Sequence, residues 1–206
     1  MRYAVTTLTV KPGTQGEALK RLKDFDFGSG FLACWFSELG ALNRIQIISE
    51  VADATQAMQQ NDPMVRSSNP YGLADLIMES SLDVYRPISE VAAFPDIPPM
   101  RGGQLGPIFE VRTYTVKPTG LTPTIELWRN SLPARAKYSP VLAAMYCANG
   151  ATTRFMHIWP YPSLDERAKL RAKTSADGVW PPAGGPAHYD RMQSDIYLAA
   201  PFSPIR

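Results

Sequence analysis

FEVRTYTVKPT, residues 109–119, is answered by YAVTTLTVKPG at residues 3–13. In each, apolar and polar residues alternate, the period of a half-buried strand. Each run stops at the same words, Val10-Lys11-Pro12 in the first and Val116-Lys117-Pro118 in the second, with Thr9 against Thr115. Proline cannot donate to a strand ladder, so it marks the strand's end. Two such openings half a chain apart call for a search for further repeats. NRIQIISEV (43–51) answers TRFMHIWPY (153–161), with Arg44 opposite Arg154. MESSLDVYRP (78–87) answers MQSDIYLAAP (192–201), setting Met78, Ser80 and Pro87 against Met192, Ser194 and Pro201. The matches are collinear at offsets of 106, 110 and 114, which predicts two diverged copies of one unit.

Within each copy the pattern predicts a strand, a helix, two strands, a second helix and a final strand. The first copy has strands at 3–10, 31–37, 44–51 and 76–85, with helices at 15–24 and 53–60. The second has strands at 109–116, 141–148, 153–159 and 192–198. Its helices are 123–137, interrupted by Pro133, and 164–173, where Ser163 and Glu166 form a capping box. This is β-α-β-β-α-β, the ferredoxin-like order. Its helices cover one sheet face and leave the other bare, and a bare apolar face must be covered. The expected fold is therefore α+β, two ferredoxin-like repeats packed sheet-to-sheet as an intramolecular barrel. The expected domains are 1–92 and 108–206, joined by a Pro/Gly-rich linker at 93–107, an extended segment without regular structure.

Apolar residues make up 45% of the 206, enough for a packed core. No run approaches 18 apolar residues and the N-terminal pattern is not a signal peptide's, so a cytoplasmic protein away from membranes is expected. Residues 1–92 carry 8 Lys/Arg against 11 Asp/Glu, net −3; residues 108–206 carry 12 against 7, net +5. A charge of +5 is too mild to argue for nucleic acid and suits a small anionic ligand. Cys34 and Cys147 sit in apolar runs and read as buried free thiols. With only His157 and His188 available, no metal site is expected. The sequence lacks a phosphate loop, a nucleophile elbow and a paired-carboxylate motif, which argues against nucleotide chemistry.

The C-terminal half resembles the NIPSNAP family. The resemblance lies in FEVRTYTVKP (109–118), LPARAKYSP (132–140), RFMHIWPYPSLDERAKLR (154–171), Trp180 and the closing PFSP (201–204). The N-terminal half carries only traces of it, TLTVKPG and the Asn-Arg strand. The resemblance implies the dimeric α+β barrel superfamily. That superfamily holds cofactor-independent monooxygenases, haem-degrading enzymes, isomerases and members without known activity.

Side chains alternate across a strand, so Phe155, His157 and Trp159 share one face and Met156 and Ile158 the other. The plainly apolar pair suits a helix-covered core, which places the first set, with Glu110, Arg112 and Tyr114, toward the barrel interior. His157, Arg112 and Tyr114 are the catalytic candidates, since His shuttles protons near neutrality and Arg offers a fork to a carboxylate or enolate. Trp159, Phe155, Arg135 and Tyr138 are the ligand-binding candidates. The competing reading is structural, with Arg112 paired to Glu110 and the cations after Pro133 suiting a helix C-terminus. Arg167, Lys169, Arg171 and Lys173 read as a solvated helix face. The N-terminal copy has Thr6, Leu8, Ile47 and Ser49 at the corresponding positions, so any site belongs to the C-terminal half. The expected function is binding of a small anionic or aromatic molecule, with proton-transfer or oxygenase chemistry of the isomerase or monooxygenase type and no cofactor. The alternatives are a non-catalytic module with a packed barrel, and a haem-binding barrel with His157 as axial ligand. A small organic ligand and outer-surface homo-oligomers are the expected partners.

Overall fold

The computed structural model describes residues 1–88, 105–150 and 152–206. The first half runs β1 (Arg2–Val10), α1 (Gln15–Leu22), β2 (Phe31–Leu39), β3 (Arg44–Val51), α2 (Ala54–Arg66) and β4 (Ile77–Pro87). The second runs β5 (Ile108–Val116), α3 (Leu121–Arg135), β6 (Ala143–Cys147), β7 (Arg154–Tyr161), α4 (Leu164–Ala176) and β8 (Tyr189–Ala199). Both halves have the ferredoxin-like order. Of the linker span 93–107, residues 93–104 lie outside the described residues, and Leu105–Pro107 have no regular structure.

The eight strands close a single antiparallel barrel in the order β1-β3-β2-β8-β5-β7-β6-β4. Each half contributes four adjacent strands, and the seams are β2 with β8 and β4 with β6. The halves thus join edge to edge as well as face to face, which removes the open edges each would have alone. The interior is filled from all eight strands: Tyr3, Trp35, Ile48, Tyr85, Phe109, Met145, Ile158 and Tyr197 belong to one buried cluster. Trp35 and Phe109 stack across the halves at 4.2 Å between centroids. Such rings contribute roughly 4–6 kcal/mol each through buried area, before entropy is charged against it. Outside the barrel, Leu8, Ile45 and Ile47 meet Ala18 and Leu22 of α1, while Tyr114, Phe155 and Trp159 meet Trp128 and Leu132 of α3.

Both second helices start on a side-chain cap: Asp53 accepts from Gln56 N at 2.9 Å and Ser163 from Glu166 N at 3.1 Å. Both outrun the span the sequence suggested. In α3, Pro133 sits in the last turn, where it removes one intrahelical hydrogen bond, and the helix passes through it to Arg135.

The ladders also correct the internal alignment. Tyr3 lies opposite Tyr85 and Val5 opposite Asp83, whereas Phe109 lies opposite Tyr197 and Val111 opposite Asp195. The last strands therefore correspond at an offset of 112, matching Asp83-Val-Tyr85 to Asp195-Ile-Tyr197. The Met, Ser and Pro matches at 114 are a slip of two residues, which preserves side-chain parity and so leaves the faces unchanged. The other offsets hold: β5 follows β1 by 106, and β7 follows β3 by 110.

Candidate functional site

The assignment of Arg112, Tyr114, His157 and Trp159 to the barrel interior is wrong. Met156 and Val111 face the lumen, and His157 and Tyr114 face the helices. The physical reason is that β7 is buried on both faces, with every residue after Arg154 buried. Apolarity cannot then tell one face from the other. The aromatic set faces α3 and the 180–189 segment, while the plain aliphatic set fills the barrel.

The candidates are nevertheless brought together. Arg112 and His157 are direct partners across the β5–β7 ladder, with Tyr114 opposite Phe155 and Glu110 opposite Trp159. Between this sheet face and the helices lies a cavity of about 210 Å³. Arg112, Tyr114, His157, Trp159 and Met192 line it from the sheet, Trp128 and Arg171 from α3 and α4. Trp180, Pro181 and Pro182 close it from the segment before β8, and Tyr189 from the first position of β8. Trp128 packs against Trp180 at 4.7 Å and against His157 at 4.4 Å.

His157 is 2% exposed. The Trp159 indole N–H can only donate, and it donates to His157 Nδ1. The imidazole proton therefore sits on Nε2, which is buried and has no protein partner. Burial, reinforced by the charges of Arg112 and Arg171, holds the His157 pKa well below its ordinary value. His157 is thus a neutral ring presenting one N–H donor. Trp159 in turn carries the Arg135 guanidinium on its face, 4.4 Å from the ring centroid.

Arg112 donates to Glu110 Oε1 at 3.2 Å, and Arg167 and Ser194 donate to the same oxygen at 2.6 and 2.7 Å. Glu110 is fully buried. Burial pushes its carboxyl up, but the bonds from Arg167 and Ser194 and the charge of Arg112 outweigh it and hold the group below the usual carboxylate range. Neutralising Glu110 consumes one arm of Arg112; its Nε has no partner. Among the described residues no carboxylate lines the cavity, which is an aromatic box with the guanidinium groups of Arg112 and Arg171 and the His157 imidazole donor.

The remaining candidates stand off. Phe155 is buried against Trp128 outside the cavity lining, and Arg135 is buried behind Trp159, bonded to Ser139 Oγ at 2.8 Å. Tyr138 ties the end of α3 to Asp177 after α4, at 2.8 Å. Sequence reasoning missed Trp128, Trp180, Tyr189 and Arg171. Trp128 had a signal, the buried stripe Thr124, Trp128, Leu132, Arg135 on α3. Arg171 had none, since Lys169 and Lys173 on α4 do face solvent; Arg167, read with them as solvated, is instead partly buried on Glu110.

The first half holds the corresponding cavity, about 160 Å³, lined by Thr6, Ile47, Ser49, Phe25, Met64 and Tyr71. Thr6 lies opposite Ile47 as Arg112 lies opposite His157. The first half has the pocket without the cations or the imidazole.

Residues 109–204 match the family model described as NIPSNAP. A curated relative, "Protein NipSnap homolog" of Dictyostelium discoideum, is 27% identical over 174 residues, 83% of this chain and 75% of that protein. Over the whole fold, a "putative monooxygenase" from Lactobacillus acidophilus superposes with a TM-score of 0.62 at 8% identity, covering 97% of this chain and 93% of the other. An "anthrone oxidase-like protein" superposes at 0.57 and 13% identity, covering 96% and 90%. At such identities these two structures speak for the barrel alone, and the family is carried by the sequence match. By sequence, the C-terminal half of the chain, residues 109–204, is similar to the NIPSNAP family.

Proposed function

We propose that the helix-side cavity of the C-terminal half binds a small, flat aromatic molecule carrying an anionic or enolisable oxygen. One observation carries this reading: the cavity walls are aromatic, their charged groups are all cationic, and the His157 N–H is buried without a partner. An unpaired buried donor is costly, and a ligand oxygen would satisfy it. Arg112 and Arg171 would supply charge, and the ring would lie against the aromatic wall that Trp128, Trp180 and Tyr189 form. An engineered 150 Å³ cavity holds benzene, so about 210 Å³ suits roughly two fused rings. It does not suit a tetrapyrrole, and His157 is walled by Tyr114 and Trp128, so the haem reading is set aside.

A donor aimed at a carbonyl oxygen stabilises the enolate formed when the neighbouring C–H loses its proton to water. An electron-rich enolate can react with O₂ directly. In the anthrone case a CH₂ becomes C=O, one oxygen atom entering the product and the other leaving as water. The descriptions of the full-length fold relatives point the same way. The division 1–92, 93–107 and 108–206, with the first part a diverged copy that keeps the barrel closed, belongs to the same proposal.

The test is calorimetric titration with 2-naphthoate, followed by oxygen uptake with 2-tetralone, an enolisable two-ring ketone. Saturable binding that Arg112→Ala weakens about tenfold or more is expected, with one O₂ consumed per 1,2-diketone formed and the second oxygen atom leaving as water. Binding without oxygen uptake above the buffer rate would leave a binding module. Absence of binding would remove the reading.

A further inference from the structure

The barrel lumen carries a second cavity, about 500 Å³, lined by polar side chains from both halves. Its ionic groups follow the two-fold relation of the halves. Arg44 lies opposite Thr9 as Arg154 lies opposite Thr115, and Asp83 lies opposite Val5 as Asp195 lies opposite Val111. One cross-half ion pair is made: Arg154 Nη2 meets Asp83 Oδ1 at 2.8 Å and Nη1 meets Oδ2 at 3.0 Å. Its counterpart, Arg44 with Asp195, is open. Asp195 instead accepts from Ala41 N at 2.9 Å and from Gln193 Nε2 at 2.7 Å. Gly40 allows this, because its backbone is left-handed (φ 96°) and any side chain there would collide with the Asp195 carboxylate.

The diversion leaves Arg44 facing the lumen, bonded to Tyr197, with no carboxylate in ion-pair distance among the described residues. Gln46, two residues on and on the same face, is 6% exposed, and its Oε1 has no partner. Glu79 stands exposed at the other side of Thr9. A guanidinium without a carboxylate partner among the described residues, an orphan acceptor and spare carboxylate lone pairs thus line one cavity.

We infer that the lumen binds a small zwitterion of the α-amino acid type. Its carboxylate pairs with Arg44, and its ammonium donates to Gln46 Oε1 and the Asp195 carboxylate. The same-face spacing of about 7 Å between residues 44 and 46 matches a carboxylate and an ammonium each held by one hydrogen bond. With Asp83 and Arg154 cancelling, Arg44 against Asp195 and Glu79 favours a ligand bearing both charges over a simple anion.

The whole chain is titrated with L-serine as the probe, beside glycine betaine, which has the same charges and no N–H, and acetate. L-serine is expected to bind saturably at about 1 mM or tighter, with betaine and acetate failing to saturate. Arg44→Gln is expected to abolish binding, Gln46→Leu to weaken it about tenfold, and Arg112→Ala, in the other cavity, to leave it unchanged. Thermal melts identify any variant that fails to fold, and the betaine comparison on the unaltered chain stands regardless. No saturable L-serine binding, equal binding of betaine, or binding that survives in folded Arg44→Gln overturns the inference.

Discussion

His157 and Glu110 show how one buried polar residue ties stability to function. His157 is kept neutral while the unfolded chain would protonate it near its ordinary value of 6.5. Its folded pKa is depressed, so the stabilisation is complete above pH 6.5 and is lost as pH falls below it. Thermal melts are expected to show stability falling through this ring as the pH drops below 6.5. His157→Gln, neutral throughout, is expected to remove that slope. Glu110 acts in a lower window: its carboxyl is depressed, so its contribution is present above about 4.5 and lost as pH falls through the folded value. Glu110→Gln strands Arg112 and Arg167 beside a neutral amide and is expected to cost about 3–5 kcal/mol at pH 7, measured by urea unfolding. The sequence placed Arg112, Tyr114 and His157 together correctly because strand parity and the repeat register are local properties. It misjudged their face because a strand buried on both sides carries no solvent signal.

At the level of elements, helix starts were legible and helix ends were not. Asp53 and Ser163 announce themselves as acceptors for the first free N–H groups, and both make the bond. Ser163→Ala and Asp53→Ala are each expected to lower stability by about 1 kcal/mol, seen as a fall in Tm of roughly 2–4 °C. The far ends depend on packing that no local word encodes, so α2 and α4 run on past the predicted stops. The segment before β8 was likewise illegible. Its Trp180, with Tyr189 at the first position of β8, forms the cavity's outer wall, and both look in sequence like parts of a Gly/Pro-rich loop. The terminal strands teach a related lesson, since a two-residue slip passed unnoticed until the ladders paired Tyr3 with Tyr85 and Phe109 with Tyr197.

Taken whole, the molecule is one barrel shared by two halves of the same element order. Closure is uneven: β2 and β8 pair over four registered positions, whereas β4 and β6 pair over two, Arg86 with Tyr146 and Pro87 with Met145. Hydrogen exchange is expected to be fastest, among strand amides, along the β4–β6 seam and slowest in the β1–β4 and β5–β8 ladders. The outer pockets have diverged, one keeping cations and an imidazole and the other reduced to Thr6, Ile47 and Ser49. The central claim is that ligand binding belongs to the first of these. A crystal structure of the chain soaked with 2-naphthoate tests it most directly. The account expects the rings in the cavity lined by Trp128, Trp180 and Tyr189, with the carboxylate on His157 Nε2 and Arg112. Density in the Thr6–Ile47 pocket, or a carboxylate turned away from His157, would contradict it.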